Sequence, residues 1–230
     1  MIENVLECEQ QALVVLSGGQ DSTTCLYWAI ERFGKANVAT VTFDYGQRHR
    51  IEIECAANVA ERAGVTNICL PINTFATLGG DALTDSRIDV EPNAVPDNDL
   101  PNTFVPGRNL VFLTFAAALA YQRGIGNLVT GVAQTDYSGY PDCREETIRA
   151  LQTALRAGME SDVVIHTPLM HLSKRQTVEL ARDLGGLDAM GLTHTCYNGA
   201  RPPCGECPAC TLRAKGFAEA GIEDPLLQAR

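Results

Sequence analysis

The sequence predicts an α/β protein with a doubly wound, mainly parallel sheet, and three observations lead to this fold class. Short apolar runs rich in valine alternate along the chain with longer segments of helical periodicity. The first two runs end abruptly at polar, glycine-containing turns, which is typical of strands buried on both faces of a sheet. The chain has 230 residues, 45% of them hydrophobic and 20% charged, so it is long enough for a large core and does not have a disordered composition.

Strands and helices alternate from the first apolar run onward. Residues 12–16 form the first predicted strand, and Ser22 is the predicted N-cap of a helix over 23–33 that Gly34 ends. The same order then repeats, with one long interruption. The further predicted strands cover 38–43, 68–71, 128–132 and 163–167, and the further predicted helices cover 48–63, 108–123, 145–157, 173–184 and 212–220.

Two stretches break the alternation and set the predicted domain limits. Residues 73–106 contain four prolines and six acids against one base, and we interpret them as a mobile, lid-like cover of the active site. A disordered insertion without a role is the alternative. Glycine, proline and cysteine concentrate from residue 185, so we predict a main domain over 1–184 and a small C-terminal segment over 185–230.

Charge and hydropathy argue against two classes of partner. A net charge of −10 and the lack of a basic stripe disfavour binding to the phosphates of nucleic acid. The longest apolar stretch, 110–121, is about half as long as a bilayer-crossing helix, and the N-terminus lacks a basic flank followed by an apolar run. We therefore expect a cytoplasmic protein that acts on small molecules and binds neither nucleic acid nor a membrane.

A Ser-Gly-Gly-Gln-Asp-Ser sequence at residues 17–22 joins the first strand to a helix, where ligands bind in parallel sheets. Unpaired backbone N–H groups and the helix dipole attract anions at such a position. Ser17 and Ser22 add hydroxyl donors, while Asp21 is a candidate to hold Mg²⁺ or orient the loop. The sequence matches neither a Walker loop nor a dinucleotide-binding motif. We interpret it as a phosphate-binding loop, with a plain Gly-Gly turn and serine cap as the alternative.

Four of the nine cysteines are clustered near the C-terminus, at Cys196, Cys204, Cys207 and Cys210. Gaps of seven, two and two residues allow four thiolates to surround one tetrahedral Zn²⁺, and such a closed site would be structural. An iron–sulfur cluster and unligated thiols are the alternatives. His194 could replace one ligand, although a supporting role in the loop is the preferred interpretation.

Three further groups follow strand ends or begin helices. Lys174 can reach a phosphate from a helix start, and Arg108 can pair with a phosphate or carboxylate in a bidentate fork. An exposed lysine and a helix-start salt bridge are the respective alternatives. The loop 137–144 carries two tyrosines that can stack on a purine-like base, and its Asp142 can accept from a guanine edge. A structural loop in which Asp142 pairs with Arg144 is the alternative there.

The loop at 17–22 resembles the pyrophosphate loop of the N-type ATP pyrophosphatases, whose Rossmann-like fold is that of the adenine nucleotide alpha hydrolases. Within that superfamily, further segments resemble the 7-cyano-7-deazaguanine synthases of the queuosine pathway. These segments are FDYGQRH at 43–49, FVPGRN at 104–109, YSGYPDCR at 137–144, TPLM at 167–170 and the four-cysteine tail. The tyrosine-rich segment and the tail are the specific part of the resemblance.

The resemblance implies an ATP-dependent ligase that converts 7-carboxy-7-deazaguanine and ammonia into the nitrile, using ATP with Mg²⁺ and one structural zinc ion in a homodimer. No glutaminase domain is visible, so we expect ammonia to enter free. One alternative is a tRNA-modifying sulfur or amine transferase of the same superfamily with a cysteine-bound cluster. The other is a nucleotide-binding scaffold without turnover.

The predicted site residues fall into four groups. The predicted ATP-binding residues are Leu16, Ser17, Gly18, Gly19, Gln20, Asp21, Ser22, Thr23, Phe43, Asp44, Tyr45, Gly46 and Gln47. The predicted substrate-binding residues are Tyr137, Ser138, Tyr140, Asp142 and Arg144. The predicted catalytic residues are Asp21, Lys174 and Arg108, and the predicted metal ligands are the four clustered cysteines.

Overall fold

A computed structural model describes residues 10–47, 50–85, 87–91, 100–134 and 140–228. Five strands form one sheet in the order β3-β2-β1-β4-β5, and every neighbouring pair is parallel. The strands are β1 (Ala12–Val15), β2 (Val38–Asp44), β3 (Thr66–Pro71), β4 (Asn127–Val129) and β5 (Val164–His166). The strand order reverses at β1, so the predicted doubly wound parallel sheet is confirmed.

Eight helices connect or follow these strands in the described ranges. They are α1 (Gln20–Phe33), α2 (Ile51–Ala63), α3 (Thr74–Leu78), α4 (Arg108–Gln122), α5 (Glu145–Met159), α6 (Lys174–Asp183), α7 (Pro208–Ala220) and α8 (Pro225–Gln228). Short 3₁₀ turns cover Lys35–Asn37, Pro141–Cys143 and Asp188–Leu192. None of the helices in the described ranges is both long and apolar enough to span a bilayer.

Alternate residues of β1 face opposite sides of the sheet, and each side packs against its own helices. Leu13 is fully buried in a cluster with Leu113 of α4 and Ile148 of α5. Val14 is fully buried on the other side, in a cluster with Leu26 of α1 and Val59 of α2. The continuous apolar run at 12–16 therefore reflects burial on both faces, as predicted.

The start of α1 differs from the prediction. Ser22 is not the N-cap, because the helix begins at Gln20 and Gly19 occupies the capping position. The Ser22 hydroxyl lies inside the first turn, where it donates to the Gly19 carbonyl oxygen at 3.1 Å and accepts the Ser17 N–H at 3.1 Å. The loop is thus shorter than expected, and the serine stabilises it from within.

Two other element bounds also differ. Strand β4 ends at Val129, three residues before the predicted end. Helix α7 begins at Pro208 rather than at 212, because Cys207 is its N-cap and a proline suits the first helical position. The last helix therefore starts inside the cysteine cluster.

The described parts of the predicted lid are held by local hydrogen bonds. Asp81 is 2% exposed, and its carboxylate accepts the N–H groups of Leu83 and Thr84, both at 2.9 Å. The Asn102 carbonyl oxygen accepts the Ala82 N–H at 2.8 Å. Residues 86 and 92–99 lie outside the described ranges, so the lid-like role of 73–106 stays a prediction.

A buried ion pair organises the C-terminal segment. Arg213 of α7 is 4% exposed and donates to both carboxylate oxygens of Asp224, at 2.6 and 2.7 Å. The same guanidinium donates to the Thr193 and Thr195 hydroxyls at 2.7 and 3.0 Å. These bonds tie the last helices to residues 193–195, of which His194 and Thr195 line the cavity described below.

Candidate functional site

A glycine with positive φ and a contact between two serine hydroxyls fix the conformation of the loop at 17–22 after β1. Gly18 has a φ of +84°, and a Cβ at this position would clash with the Glu52 carbonyl oxygen. The Ser17 and Ser22 hydroxyls lie 3.0 Å apart and brace the loop across its base. Helix α2 therefore packs directly on the loop and permits only glycine at position 18.

Two buried polar atoms at the start of α1 have no hydrogen-bond partner among the described residues. They are Nε2 of Gln20 and Oδ1 of Asp21. The other carboxylate oxygen of Asp21 lies 2.6 Å from Nζ of Lys174, at the start of α6. Buried polar groups usually have partners in folded proteins, so unsatisfied atoms beside a cavity indicate a ligand position.

The loop opens into a cavity of about 290 Å³ at the carboxyl ends of the strands. Its lining residues come mainly from the loop, the turn after β2, α2, α4, the segment after β4, the start of α6 and the C-terminal segment. The polar and charged side chains on the wall include Ser17, Gln20, Asp21, Ser22, Tyr45, Gln47, Glu52, Arg108, Asn109, Tyr140, Lys174, His194, Thr195, Tyr197 and Arg213. The three predicted catalytic residues, Asp21, Lys174 and Arg108, thus line one cavity.

Arg108 lies against an aromatic wall. Its guanidinium carbon is 5.9 Å from the centre of the Tyr45 ring, and Phe43 stacks on Phe112 with ring centres 4.6 Å apart. Burial raises the pKa of Tyr45 to about 12, partly offset by the Arg108 charge, so this phenol is neutral at physiological pH. A guanidinium in such surroundings is suited to an anionic ligand.

The turn after β2 holds its own side chains. The Gln47 amide accepts the Tyr45 N–H at 2.8 Å and donates to the Phe43 carbonyl oxygen at 3.3 Å. Asp44 forms an ion pair with Arg50 at 2.5 Å. Tyr45 and Gln47 line the cavity, and Gly46 packs so closely on Ala76 that a Cβ there would lie 2.8 Å from the alanine Cβ.

The predicted substrate loop is described only from residue 140 onward. Tyr137 and Ser138 lie outside the described residues. Tyr140 lines the cavity, and its hydroxyl lies 2.6 Å from the Thr103 hydroxyl, which connects the loop to the predicted lid. Arg144 is the N-cap of α5, so its backbone marks the start of that helix.

Asp142 has a partner that the sequence did not indicate. It is 4% exposed, and its Oδ2 accepts the backbone N–H of Asn109 at 3.0 Å in the first turn of α4. A carboxylate at a helix N-terminus is favoured by the helix dipole. This contact holds the start of α4, and therefore Arg108, in place. The proposed hydrogen bonds from Asp142 to the guanine edge of the substrate stay a prediction.

Glu52 is a cavity residue that the sequence analysis missed. It lies in the first turn of α2 and lines the cavity with Ser17, Tyr45 and Arg108. Burial raises the pKa of its carboxyl to about 7, although the nearby Arg108 charge opposes the shift. A glutamate near a helix N-terminus is so common on protein surfaces that its sequence position gave no signal.

The four clustered cysteines fit a zinc ion. Their sulfur atoms all lie within 4.8 Å of one another, and Sγ of Cys204 is 3.9 Å from Sγ of Cys210. A tetrahedral zinc site with Zn–S bonds of about 2.3 Å requires sulfur separations of about 3.8 Å. A hydrogen bond from Cys210, assisted by backbone N–H groups, lowers the pKa of Cys207 despite its burial. Both the donor set and the spacing therefore suit a closed, structural zinc site.

His194 connects this cluster to the phosphate loop. Its ring Nε2 lies 2.8 Å from the Cys196 carbonyl oxygen, and its backbone N–H donates to the Gly18 carbonyl oxygen at 2.9 Å. The metal-binding group found among the described residues consists of the four cysteines without this histidine. These contacts favour the supporting role for His194, which stays a prediction.

Comparison with known proteins identifies the family to which the chain belongs. The family described as "Queuosine biosynthesis protein QueC" matches residues 11–221. A 7-cyano-7-deazaguanine synthase of Chromobacterium violaceum is 66% identical, covering 96% of this chain and 94% of the relative. Proteins of the same name from Laribacter hongkongensis and Bacillus subtilis are 64% and 52% identical, covering 95% and 92% of this chain and 94% and 95% of the relatives. With a family match that spans nearly its whole length, the chain belongs to the queuosine biosynthesis QueC family.

Proposed function

We propose that the protein is an ATP-dependent carbon–nitrogen ligase that converts 7-carboxy-7-deazaguanine and ammonia into 7-cyano-7-deazaguanine for queuosine biosynthesis. The observation that carries this proposal is the cavity itself, in which a phosphate loop with unsatisfied Gln20 and Asp21 atoms meets the Arg108 guanidinium. Relatives that share more than half of this sequence have the name of that synthase. The proposed partners are therefore small molecules.

The chemistry follows from the low reactivity of a carboxylate. Transfer of an adenylyl or phosphoryl group from ATP to a carboxylate oxygen provides a leaving group, and ammonia then forms the amide. A second activation, at the amide oxygen, allows the loss of that oxygen and leaves the nitrile. The cavity contributes to both activations mainly by positioning the reactants and stabilising charge.

We assign the reaction to specific groups on the cavity wall. Backbone N–H groups of residues 17–22 bind phosphate oxygens, and Lys174 stabilises the negative charge that develops there. The unsatisfied Oδ1 of Asp21 is a suitable ligand for the Mg²⁺ ion that accompanies ATP, because magnesium prefers carboxylate oxygens. Arg108 pairs with the carboxylate of the substrate base.

The metal site has a structural role in this proposal. The four cysteines hold Zn²⁺, which supplies no reactive position because all four sites are filled by thiolates. The ion fixes residues 194–210 against the phosphate loop through the bond from His194 to Gly18. The alternative of a tRNA-modifying transferase with a cysteine-bound cluster is not favoured, since the relatives have the name of the synthase.

We also propose that the protein acts as a cytoplasmic homodimer. Helix α4 exposes Phe115 and Tyr121, which are 47% and 56% exposed in the single chain. Large apolar side chains on one helix suit a symmetric contact between two copies. Size-exclusion chromatography with light scattering measures the oligomeric state directly.

Product identification tests the proposed function. The zinc-loaded protein is incubated with 7-carboxy-7-deazaguanine, ATP, Mg²⁺ and ammonium, and the base is analysed by mass spectrometry. We expect the mass of the nitrile and ATP consumption that depends on the base. An unchanged base, or ATP consumption that does not depend on the base, would contradict the proposal.

A further inference from the structure

Two charged side chains on the cavity wall differ from the rest in their pairing. Asp21 is paired with Lys174 at 2.6 Å, and Arg213 is paired with Asp224 at 2.6 Å. Within the described ranges, neither Glu52 nor Arg108 has an ion-pair partner within 4.0 Å. Among the described residues, the cavity wall therefore has one carboxyl group and one guanidinium that form no close ion pair, although the Arg108 charge acts on Glu52.

The proposed reaction has one ligand for each of these charges. The proposed ligand of the Arg108 guanidinium is the carboxylate of the substrate base. The remaining reactant, ammonia, is present in neutral water almost entirely as ammonium, which cannot attack a carbonyl carbon until it loses a proton. A carboxylate is the side chain that can both attract this cation and accept its proton.

The surroundings of Glu52 suit this task. The charged and titratable groups that face it are Arg108 from α4, Tyr45 from the turn after β2, Tyr197 from the C-terminal segment, and Cys55 from its own helix. Both tyrosines line the cavity, and the Arg108 guanidinium carbon lies 5.9 Å from the centre of the Tyr45 ring. The pKa of about 7 also lets the carboxyl change protonation state near neutral pH.

Resting on the proposed ligase function, we propose that Glu52 binds ammonium in the cavity and accepts the proton that ammonium loses before its nitrogen attacks the activated carbonyl carbon. One N–H bond of ammonium breaks, and the proton moves to a Glu52 oxygen. The nitrogen lone pair then forms the C–N bond, and the bond from carbon to the activated oxygen breaks. The second proton that the nitrogen loses leaves with the departing phosphate or nucleotide.

Hydroxylamine separates this role from the activation of the carboxylate. It is largely neutral at pH 7 and attacks activated carboxylates without a base, forming a hydroxamate. We expect Glu52→Gln to reduce nitrile formation from ammonium by about 100- to 10,000-fold while hydroxamate formation stays within a few-fold of the parent protein. Glu54→Gln is the matched control, because Glu54 lies on the same helix and is exposed, and neither reaction should change.

The pH profile gives an independent measure. If ammonium enters as a cation paired with ionised Glu52, kcat/KM for total ammonium rises with pH and levels off above about pH 7. In Glu52→Gln it should continue to rise until ammonium itself deprotonates in solution. Glu52→Asp keeps the carboxylate and should retain the plateau. Identical profiles for the parent protein and Glu52→Gln would overturn the assignment.

The failure of the Glu52 role differs from the failure of the proposed function. If Glu52→Gln loses both hydroxamate and nitrile formation, Glu52 acts in the activation of the carboxylate or in metal binding. That outcome refutes the proton-accepting role. Full activity of Glu52→Gln with ammonium refutes it as well. A parent protein that forms neither hydroxamate nor nitrile instead contradicts the ligase function.

Discussion

Lys174 and Asp21 show how single residues from distant parts of the chain build the site. They are separated by 153 positions in the sequence, yet Nζ of Lys174 lies 2.6 Å from a carboxylate oxygen of Asp21. Both begin a helix that follows a strand of the same sheet. The topology therefore brings a cation and an anion to the proposed phosphate position.

Removing either charge should lower turnover strongly. We expect Asp21→Asn and Lys174→Ala each to reduce product formation by about 100- to 1,000-fold, because a fixed charge near developing negative charge stabilises the transition state. Lys215→Ala is the control, since the Lys215 side chain is 65% exposed on α7. Steady-state kinetics and thermal unfolding of the three variants check this, and near-normal rates in both site variants would refute the assignment.

Asp142 permits a test that separates two roles of one side chain. Asp142→Asn retains an oxygen that can accept the Asn109 N–H, so stability should change little. If Asp142 reads the guanine edge, the new amide N–H₂ group would face the N–H donors of the base and could not accept their hydrogen bonds. Use of the base should then fall while ATP affinity stays the same. Calorimetric titration with each ligand measures this, and loss of both affinities together would leave Asp142 with a structural role only.

At the scale of elements, α6 and α7 pack at close range beside Lys174, the lysine with a proposed catalytic role. A Cβ added to Gly216 of α7 would lie 2.9 Å from Cβ of Lys174 and 3.1 Å from its carbonyl oxygen. The glycine thus lets α7 approach the first turn of α6. The position of Lys174 depends on this contact.

Gly216→Ala should therefore destabilise the fold and reduce activity together. We expect a loss of about 1–3 kcal/mol in the free energy of unfolding, because the added methyl group must displace the backbone of α6. Gly158→Ala is the matched control on α5, where nothing lies within 4 Å of the added Cβ, and it should be neutral or slightly stabilising. Denaturant unfolding compares the two variants. Equal free energies of unfolding for the two variants would show that the close packing at Gly216 does not contribute to stability.

Most elements were predictable from sequence, and the differences have local causes. The strand–helix order and the burial of Leu13 and Val14 followed from apolar runs that only a two-sided sheet explains. The N-cap assignment to Ser22 was wrong because a glycine can occupy that position while the serine bonds inside the loop. Propensity alone does not distinguish these two arrangements.

The site was predictable where residues follow strand ends and unpredictable where only tertiary contacts define it. Five of the six residues at 17–22 line the cavity with Lys174 and Arg108, as expected for positions beyond strands or at helix starts. Glu52 reaches it from a helix that packs on Gly18, and the Asp142 contact with Asn109 joins two loops. Neither contact leaves a pattern in the sequence.

At the scale of the whole molecule, the metal site and the phosphate loop form one connected unit. The bond from the His194 N–H to the Gly18 carbonyl oxygen joins them directly, and the Arg213 ion pair holds the intervening segment. Loss of the proposed zinc ion should therefore disturb the proposed nucleotide site as well as the tail.

Cys207→Ala tests this connection. We expect loss of bound zinc, protease sensitivity confined to residues 185–230, and weaker ATP binding, because three thiolates leave the site open and the segment has little apolar area of its own. Cys69→Ala is the control, since Cys69 is an exposed cysteine on β3. Metal analysis and limited proteolysis compare the variants, and a metal-free, fully active Cys207→Ala protein would refute the structural-zinc interpretation.

The proposed reaction uses ATP twice, first at the carboxylate of the base and then at the amide oxygen, and the fate of the two carboxylate oxygens tests this sequence most directly. We would supply 7-carboxy-7-deazaguanine with ¹⁸O in both carboxylate positions, together with ATP, Mg²⁺ and ammonium, and analyse the cleaved nucleotide and phosphate by mass spectrometry. Activation at the carboxylate and then at the amide predicts that one ¹⁸O atom appears in each of two ATP-derived products per nitrile formed. Release of the label into water, with unlabelled nucleotide and phosphate, would contradict the account.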